Sequence, residues 1–526
     1  MMIFLLGLWV FITILLFVGG LGESFSHFFI FNLLLNYWEF NESIFIFDSI
    51  TIGILVMLAV CFSYVYFYTS HYFGPGSLEE WLNIMICMFV GVMTLLVCTG
   101  DYMLTLIFWE HLGVVSFFLI LFYCSYLSLR ASIVTLVSSR FGDVCLFLLL
   151  CVSSYFFCNL LLVTLFIFFL IIFTKSASFP FISWLLEAMR APTPVSSLVH
   201  SSTLVAAGVW FAFRYDSFLF FSDYFYYSSI LLVTIMITAI CSLFYLDLKK
   251  IVALSTCNNV SWCIFYLIFG DVGLSLCQLL SHGVSKCMLF ILVGDVMSGA
   301  GGAQCSNCVY SSRLYNNWSI FSLFSVILGL SGVPFIGVFF TKHFLLTNFM
   351  LNSNVILSFF VLILVLLSYL YSFRLCAILI NIKSSAMIGV LYFFNSGAII
   401  YIWLFVNYFM FFNFDEKILL NSIVSNSLIL FQIVSVVFIY FIYNSVTLSN
   451  WSSSLFGCDN VVELCYKLFF ELVNLVNFIL YRWDSYILSI FSGSGSNNML
   501  SVYGNNILNF TILSILLFLT CCIIIY

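Results

Sequence analysis

The sequence contains very few charged residues for its length. Only 7% of its 526 residues are Asp, Glu, Lys or Arg, whereas 64% are hydrophobic and the mean hydropathy is +1.21. A soluble domain carries roughly 25% charged residues because its surface faces water. This composition excludes a water-soluble globular protein and indicates a polytopic membrane protein. Its apolar runs of about 18 to 25 residues have the length of membrane-spanning helices and exceed that of barrel strands.

Basic segments are also scarce. The formal net charge is −6, and the chain has no basic tail or cluster of Lys and Arg. This excludes the electrostatic footprint of a nucleic-acid-binding protein. The N-terminal stretch "MMIFLLGLWVFITILLFVGG" lacks a basic region and a small-residue cleavage site. We therefore expect it to be a retained first span rather than a signal peptide.

Cofactor motifs are missing from the sequence. Most of the nineteen cysteines are scattered singly in apolar runs, where they are expected to pack as small hydrophobic side chains. Only Cys305 and Cys308 form a C-x-x-C pair, and no second pair or histidine cluster completes a metal site. The glycines of "SGAGGAQ" and "SGSGS" do not follow a strand, so neither is a dinucleotide loop. We expect no metal, iron–sulfur cluster or other redox cofactor in this chain.

What the sequence does contain is a series of apolar segments. They predict an all-α fold, a polytopic bundle of about 15 or 16 transmembrane helices, in which some adjacent segments are halves of a broken helix. The candidate spans are 3–20, 48–70, 84–99, 102–124, 130–152, 159–174, 195–213, 228–246, 251–269, 274–294, 318–332, 334–350, 354–378, 388–412, 428–446 and 505–525.

The segment 459–489 has a different pattern. Polar residues recur every three or four positions between Leu, Phe and Val, at Glu463, Lys467, Glu471, Asn474 and Asn477. This predicts an amphipathic helix of about eight turns, too polar to span the membrane, that lies along its surface or against neighbouring helices. The alternative is a loosely folded tail that binds nothing.

Proline is rare and its placement is uneven. Three of the five prolines follow Lys175 closely, and a fourth, Pro334, precedes Lys342; the first three are Pro180, Pro192 and Pro194. Two interrupted helices in corresponding halves of a transporter indicate a transport site near the membrane midplane. The two segments thus suggest inverted repeats. Because lysine precedes proline in one and follows it in the other, the pattern alone leaves the repeat unproven.

Four charged residues lie near the middle or the break of apolar segments, namely Glu110, Lys175, Lys286 and Lys342. A charge at the bilayer centre costs about 2.5–3.5 kcal/mol on insertion scales, so such residues usually serve a function. His282 lies one helical turn before Lys286, on the same helix face. Three more candidates, Asp143, Arg140 and His200, lie near the starts of predicted spans.

Each candidate also has a structural explanation. Lys175 and Lys342 are explained as side chains that snorkel to the interface, and Glu110 with Lys286 as a structural ion pair. Arg140 is explained as a marker of a cytoplasm-like loop, and His282 as a packing residue. Together, however, one glutamate and three lysines near broken helices favour a hydrated proton relay. A carboxylate that moves toward or away from a buried lysine switches it between holding and releasing a proton, and histidine can pass protons between such stations. No nucleophile, base and orienting group occur together, so we expect no covalent catalysis.

One long stretch resembles a known family. It is "FTKSASFPFISWLLEAMRAPTPVSSLVHSSTLVAAGVWFAFR", supported by "FWEHLGVVSFFLI", "SSRFGDV", "DLKKIVALST", "LLSHGVSKCMLF" and "LSGVPFIGVFFTKHFLL". It closely resembles the antiporter-like subunit 5 family of mitochondrial NADH:ubiquinone oxidoreductase (respiratory complex I), which is related to Mrp-type cation/proton antiporter subunits. The segment 459–489 and the final span look like the lateral helix and anchor of subunit 5.

The resemblance implies a role for individual residues. It implies that protonation of a Glu110–Lys175 pair modulates Lys286, which has His282 one turn before it, and that Lys342 leads to the exit. Other residues match motif positions with less defined roles, namely Asp143, His200, Glu187, Arg214 and Asp247.

The sequence also departs from the family pattern. Gln278 stands where many members have a second histidine before His282, and His343 stands where an acidic residue usually follows Lys342. Glutamine cannot titrate, so water or His282 alone must bridge that gap. The N-terminal region "SFSHFFIFNLLLNYWEFNES" suggests a lost or rudimentary second span.

The resemblance implies a proton-translocating subunit in the mitochondrial inner membrane, surrounded by lipid. It implies other membrane-arm subunits as partners, especially the antiporter-like ones, and places flavin, iron–sulfur clusters, NADH and ubiquinone in partner subunits. The predicted organisation is N-terminal helices at 1–99, the translocation core at 100–378, C-terminal helices at 379–458, the lateral helix at 459–489, and a loop with the final anchor at 490–526. The alternatives are an Mrp-type sodium/proton antiporter subunit and a structural clamp of the membrane arm.

Overall fold

The structure is a computed structural model, and it describes part of the chain. The described residues are 29–31, 43–155, 161–215, 224–269, 272–309, 311–312, 317–332, 338–352, 355–382, 384–385, 403, 422–444, 458–491 and 511–517. The chain divides into two compact units, Met1–Cys458 and Asp459–Tyr526, which are described separately. The finer domain boundaries drawn from the sequence stay a prediction.

The first unit is helical almost throughout its described residues. Its first eight α-helices are α1 (Ser49–Phe73), α2 (Ser77–Cys98), α3 (Tyr102–Leu121), α4 (Tyr126–Tyr155), α5 (Leu161–Ser176), α6 (Ser183–Ala188), α7 (Thr193–Leu198) and α8 (Leu204–Tyr215). A π-helical turn, Val199–Thr203, joins α7 to α8. The remaining helices are α9 (Tyr224–Phe244), α10 (Leu248–Phe269), α11 (Val272–Gly299), α12 (Asn317–Ser331), α13 (Phe339–Asn352), α14 (Val355–Ile380) and α15 (Ser422–Asn444).

Short strands accompany the helices. β1 (Phe29–Phe31) pairs antiparallel with β2 (Ser43–Phe45), and β3 (Ser311–Ser312) pairs parallel with β4 (Ser384–Ser385). They are too short to form a sheet with a core of its own. The all-α prediction is therefore confirmed as the fold class, with these pairs as local connections.

Ten helices among the described residues are long and apolar enough to cross a membrane. Two shorter apolar helices, Val163–Ser176 and Ser322–Ser331, end at the two breaks discussed below. The polytopic prediction is confirmed. The predicted span at 3–20 lies outside the described residues, and those at 388–412 and 505–525 lie mostly outside them, so the total of about 15 or 16 stays a prediction.

The bundle has a distinct centre. Within an 18-residue apolar stretch of each helix, the share of buried residues is 100% for Thr193–Tyr215, 94% for α10 and 83% for α11. The corresponding share is 33% for α2, 33% for α4 and 22% for α15, which leaves most of their apolar side chains facing outward. The central helices are also the ones that carry His200, Lys249 and Lys286. Charged residues there are shielded from lipid by other helices of the same chain.

One glycine allows two central helices to approach closely. A Cβ atom built on Gly208 of α8 would lie 3.0 Å from the Ile172 carbonyl oxygen and 3.1 Å from the Ser176 nitrogen of α5. Both neighbours are backbone atoms, so neither can rotate away. A side chain here would therefore push the two helices apart by a few tenths of an ångström, and glycine avoids this strain where α8 meets the C-terminal turn of α5.

The second unit contains one long helix, α16 (Cys458–Phe491), and a short helical segment at 511–517. With a rise of 1.5 Å per residue, α16 is roughly 50 Å long, well beyond the ~30 Å hydrocarbon thickness. An apolar stripe recurs at every third or fourth residue, at Leu464, Leu468, Leu472, Leu475 and Ile479. The predicted amphipathic helix is confirmed, and the alternative of a loosely folded tail is wrong for these residues.

Candidate functional site

The first break lies directly after Lys175. Helix α5 ends at Ser176, Ala177 adopts a left-handed φ of 55°, and the Phe179–Pro180 peptide bond is cis. Lys175 is fully buried in the last turn of α5. The interpretation that this lysine snorkels to the interface is therefore wrong.

Side chains and turns satisfy the backbone groups that the break releases. The Ser178 N–H donates to the Phe173 carbonyl at 3.2 Å, and the Trp184 indole N–H donates to the Thr174 carbonyl at 3.1 Å. An unsatisfied carbonyl at membrane depth costs several kcal/mol, so a helix can end there only if the protein itself supplies donors. The break is thus a stable feature of the fold.

Lys175 belongs to a cluster of four charged residues. Its Nζ lies 3.9 Å from Oδ1 of Asp143, and the other oxygen of Asp143 lies 3.4 Å from Nη1 of Arg140. The same nitrogen of Arg140 donates a short hydrogen bond to Glu110. The predicted Glu110–Lys175 pair is thus not a direct contact, because Arg140 and Asp143 stand between the two. The proposed Glu110–Lys286 pair is wrong as well, since Glu110 pairs with Arg140.

The cluster runs from the surface of the chain to its interior. The side chains of Arg140 and Glu110 are 38% and 35% exposed, whereas those of Asp143 and Lys175 are 4% and 1% exposed. Arg140 and Asp143 lie in the middle of α4, not near the start of a span as the sequence suggested. The Lys175 ammonium also lies 5.1 Å from the ring centroid of Trp109, which adds a cation–π contact.

A small cavity lies between Lys175 and His200. It has a volume of about 10 Å³, and its lining includes Lys175, His200, Ser116, Thr135 and Ser139. This is close to the volume that one water molecule needs. His200 is buried on the π-helical turn, a local widening of the helix that often marks functional sites. The turn packs against α11, which carries the central lysine.

Lys286 lies at the centre of the bundle. It is buried on α11, and its Nζ donates a short hydrogen bond to the Ser255 hydroxyl on α10. A second cavity of about 10 Å³ is lined by Lys286, Ser255, Asn259, Ser331 and Ser372 among others. His282 is buried one turn before Lys286. The central lysine therefore has a hydroxyl partner and an adjacent small cavity, and none of the described residues that line this cavity is a carboxylate.

Lys342 caps the second interrupted helix. Helix α12 ends at Ser331, and Gly332 has a φ of 89°. The Lys342 ammonium on α13 donates to the Ser331 carbonyl at 2.8 Å and to the Ser368 hydroxyl at 2.9 Å. A cation at a helix C-terminus is favoured by the helix dipole. Lys342 is buried, so the snorkelling interpretation is wrong here too; Pro334 lies outside the described residues.

Ser331 lies between Lys286 and Lys342. Its carbonyl accepts the hydrogen bond of Lys342, and the same residue lines the cavity beside Lys286. The described part of the chain thus contains two polar segments, Glu110 to His200 and Lys286 to Lys342, and each includes a lysine at an interrupted helix.

Comparisons with known proteins agree with this architecture. Residues 99–368, about half of the chain, match the model of the NADH:quinone oxidoreductase/Mrp antiporter transmembrane family. The chain belongs to this family. It is 33% identical over 371 residues to the NADH-ubiquinone oxidoreductase chain 5 of Caenorhabditis elegans, covering 68% of this chain and 70% of that protein. It is 33% identical over 349 residues to the chain 5 of Anopheles gambiae, covering 63% and 60%.

Solved structures show the same fold at lower identity. A chain of the Mrp complex from Dietzia sp. matches with a TM-score of 0.68 and 18% identity, covering 88% of this chain and 56% of that one. A chain of the membrane-bound sulfane sulfur reductase, an archaeal respiratory membrane complex, matches with a TM-score of 0.64 and 16% identity, covering 82% and 93%. The antiporter-family fold is thus shared well beyond the curated relatives.

Gln278, a departure from the family pattern, has a specific contact. Its Oε1 accepts a hydrogen bond of 2.6 Å from the Thr341 hydroxyl, so it ties α11 to the residue before Lys342. His343, which follows Lys342 in the sequence, is fully buried. Gln278 therefore links α11 and α13 by a hydrogen bond, at a position where many members of the antiporter family have a titratable histidine.

Three of the supporting candidates form ion pairs that do not include Lys175, Lys286 or Lys342. Glu187 contacts Arg190 at 3.0 Å, Arg214 contacts Asp48 at 2.9 Å, and Asp247 contacts Lys250 at 3.3 Å. The ion pairs of these three predicted residues therefore lie outside the two polar segments.

Sequence reasoning missed several residues of the site. Nothing in the sequence pairs Arg140 with Glu110, and the partners Ser255, Ser331 and Ser368 carry no signal because serine is frequent in the chain. Lys249 is also buried and donates to the Ala191 carbonyl at 3.2 Å. Its signal was available, because "DLKKIVALST" places two lysines at the start of an apolar span.

Proposed function

We propose that this chain is a proton-translocating membrane-arm subunit of a respiratory NADH:ubiquinone oxidoreductase in the mitochondrial inner membrane. It conducts protons and performs no electron transfer. Flavin, iron–sulfur clusters, NADH and ubiquinone belong to partner subunits, and other membrane-arm subunits contact α16. The observation that carries the proposal is the pair of buried polar segments, in which a lysine lies at each helix break.

The cluster around Lys175 supplies the switch. Asp143 stabilises the charged form of Lys175, and Arg140 competes for the same carboxylate while it also binds Glu110. When Glu110 becomes protonated, Arg140 turns fully to Asp143, and Lys175 loses its counter-ion and releases a proton. Glu110 is the outer residue, so a neighbouring subunit can set the state of the cluster.

The second half receives and exports the proton. Lys286 exchanges protons through its cavity with Lys342, whose ammonium is held by the Ser331 carbonyl and the Ser368 hydroxyl. Moving one charge against the membrane potential costs about 2.3 kcal/mol per 100 mV. This energy must come from quinone reduction in the partners, since no reacting centre is proposed here.

The central test is Lys286→Ala in the assembled complex in sealed membrane vesicles. We expect fewer protons translocated per NADH oxidised, because the central station is lost. Lys250→Ala is the matched control, since Lys250 is a partly exposed lysine paired with Asp247 at the edge of the bundle. Equal proton yields for wild type and Lys286→Ala would refute the relay.

Sedimentation of detergent-solubilised membranes separates the proposal from an Mrp-type sodium/proton antiporter. Co-migration of the chain with NADH dehydrogenase activity is expected, whereas a smaller separate assembly with sodium-dependent proton exchange would support the antiporter. A structural clamp predicts that truncation after about residue 450 abolishes assembly and that substitution of the buried lysines is harmless. The burial of three lysines argues against that clamp.

A further inference from the structure

Two exposed thiols lie in the loop that follows α11. Cys305 and Cys308 are both free and both exposed, and neither belongs to the polar segments described above. Most other free cysteines in the described residues are single positions along apolar helices. The C-x-x-C pair is therefore a feature that the proposed function does not use.

The backbone holds this loop against the start of α10. The Leu248 N–H donates to the Gln304 carbonyl at 3.0 Å, and the Ser306 N–H donates to the Leu246 carbonyl at 2.9 Å. Cys305 lies between these two bonds. Its backbone position is consequently fixed, although its side chain is exposed.

A tight turn brings the two cysteines together. The Cys308 N–H donates to the Cys305 carbonyl at 2.9 Å, which closes a turn of four residues. The end Cα atoms of such a turn lie within about 7 Å, and a disulfide needs about 4.4–6.8 Å. The backbone separation of the two residues is thus compatible with a disulfide.

In the reduced form, Cys305 has another partner. Its thiol donates to Oδ1 of Asp247 at 3.2 Å, while Oδ2 of Asp247 lies 3.3 Å from the Lys250 ammonium. The hydrogen bond to Asp247 raises the pKa of the Cys305 thiol, with a smaller contribution from burial. Cys305 is therefore the thiol that forms thiolate less readily, and we assign the first attack to Cys308.

We propose that Cys305 and Cys308 are a redox-modifiable dithiol, which a peroxide oxidises to an intrachain disulfide and which cellular thiols reduce. The Cys308 sulfur attacks hydrogen peroxide, so that an S–O bond forms, the O–O bond breaks, and one water leaves with the thiol proton. The Cys305 sulfur then attacks the Cys308 sulfenic acid; the S–S bond forms, the S–O bond breaks, and a second water carries away the Cys305 proton. Two external thiols restore the dithiol and become a disulfide themselves.

Oxidation has a defined structural consequence. Cys305 in the disulfide can no longer donate to Asp247. The carboxylate then loses this hydrogen bond and keeps its ion pair with Lys250. Asp247 directly precedes α10, the helix whose Ser255 holds Lys286. The dithiol is thus linked through one helix to the central station, although the redox chemistry does not depend on the proposed proton relay.

The test uses the assembled complex in native membranes, treated with hydrogen peroxide and then with an alkylating reagent. Peptide mass spectrometry should find the peptide with Cys305 and Cys308 lighter by two hydrogens, unalkylated, and restored by dithiothreitol. Cys124, a single exposed cysteine between α3 and α4, is the internal control and should form no intrachain disulfide. Two alkylated thiols at 305 and 308 after peroxide would overturn the proposal.

Two variants test the order of the steps with dimedone, a reagent for sulfenic acid. Cys305→Ser keeps a hydroxyl donor for Asp247 and should trap a dimedone adduct on Cys308. Cys308→Ser should give little adduct on Cys305, because that thiol forms thiolate less readily. The opposite distribution would contradict the assigned order, and adducts on neither variant would contradict peroxide as the oxidant.

Discussion

At the scale of single residues, the partner of each buried lysine decides what it can do. Lys175 faces a carboxylate, Asp143, whereas Lys286 and Lys342 face hydroxyl and carbonyl oxygens. Only the first lysine can therefore be switched by movement of a charge beside it. The resemblance pointed to Glu110 as the partner of Lys175, whereas the nearest carboxylate in the structure is Asp143 and Glu110 is linked to it through Arg140. Glu110 and Asp143 lie on different helices, so their distances to Lys175 depend on packing.

Asp143→Asn tests this assignment. We expect the variant to lose proton translocation about as severely as Lys175→Met, because a buried ammonium without its counter-ion costs about 3–5 kcal/mol or gives up its proton. The measurement is the number of protons translocated per NADH oxidised in sealed vesicles. Glu80→Gln, an exposed carboxylate on α2, is the control and should behave as wild type. Normal proton translocation by the Asp143→Asn variant would show that Asp143 does not control the protonation of Lys175.

The thiol of Cys305 offers a pH measurement outside the membrane-spanning segments. The hydrogen bond to Asp247 raises its pKa, so removal of the acceptor lowers it. In Asp247→Asn, alkylation of Cys305 by iodoacetamide should rise with pH earlier than in wild type, since more thiolate is present at a given pH. The pH profile of Cys124 should stay unchanged. An unshifted Cys305 profile would show that Asp247 does not control this thiol.

At the scale of elements, the two helix breaks show what sequence can predict. Pro180 indicated an interruption, and the predicted span 159–174 ends within two residues of Ser176, where α5 ends and Ala177 turns into the left-handed region. The donors that make the break stable come from distant positions such as Trp184, and their contribution depends on tertiary packing. The periodicity of α16 was easier to interpret, since its repeat of three or four residues is a local property.

Gly208→Ala tests the packing that supports the first break. The added Cβ would press on backbone atoms of Ile172 and Ser176, so we expect a loss of stability of about 1–3 kcal/mol. Thermal unfolding of the solubilised complex, followed through this chain by limited proteolysis, gives the measurement. Gly91→Ala is matched in chemistry, and nothing lies within 4 Å of its added Cβ. Equal stabilities for the two variants would mean that α5 and α8 are free to separate.

At the scale of the whole molecule, the bundle buries Lys175, Lys286 and Lys342 in its interior, whereas Glu110 and Arg140 stay partly exposed. Composition predicted the membrane class and most spans, because apolar length is a property of the local sequence. The cavities at Lys175 and Lys286 were beyond prediction, since each is formed by side chains from three or more segments. The family resemblance supplied the residue types of the relay but not the contacts between them.

The cavity beside Lys286 can be filled by a single substitution at Ser372. Ser372→Val fills a space of about 10 Å³ with methyl groups and removes a hydroxyl, so no water can bridge Lys286 and the Ser331–Lys342 pair. We expect fewer translocated protons per NADH oxidised, with assembly retained. Ser372→Ala removes the hydroxyl but leaves space for water, so its defect should be smaller. If both variants lose the same amount, the hydroxyl conducts and the cavity does not; if neither does, protons reach Lys342 by a route that bypasses this cavity.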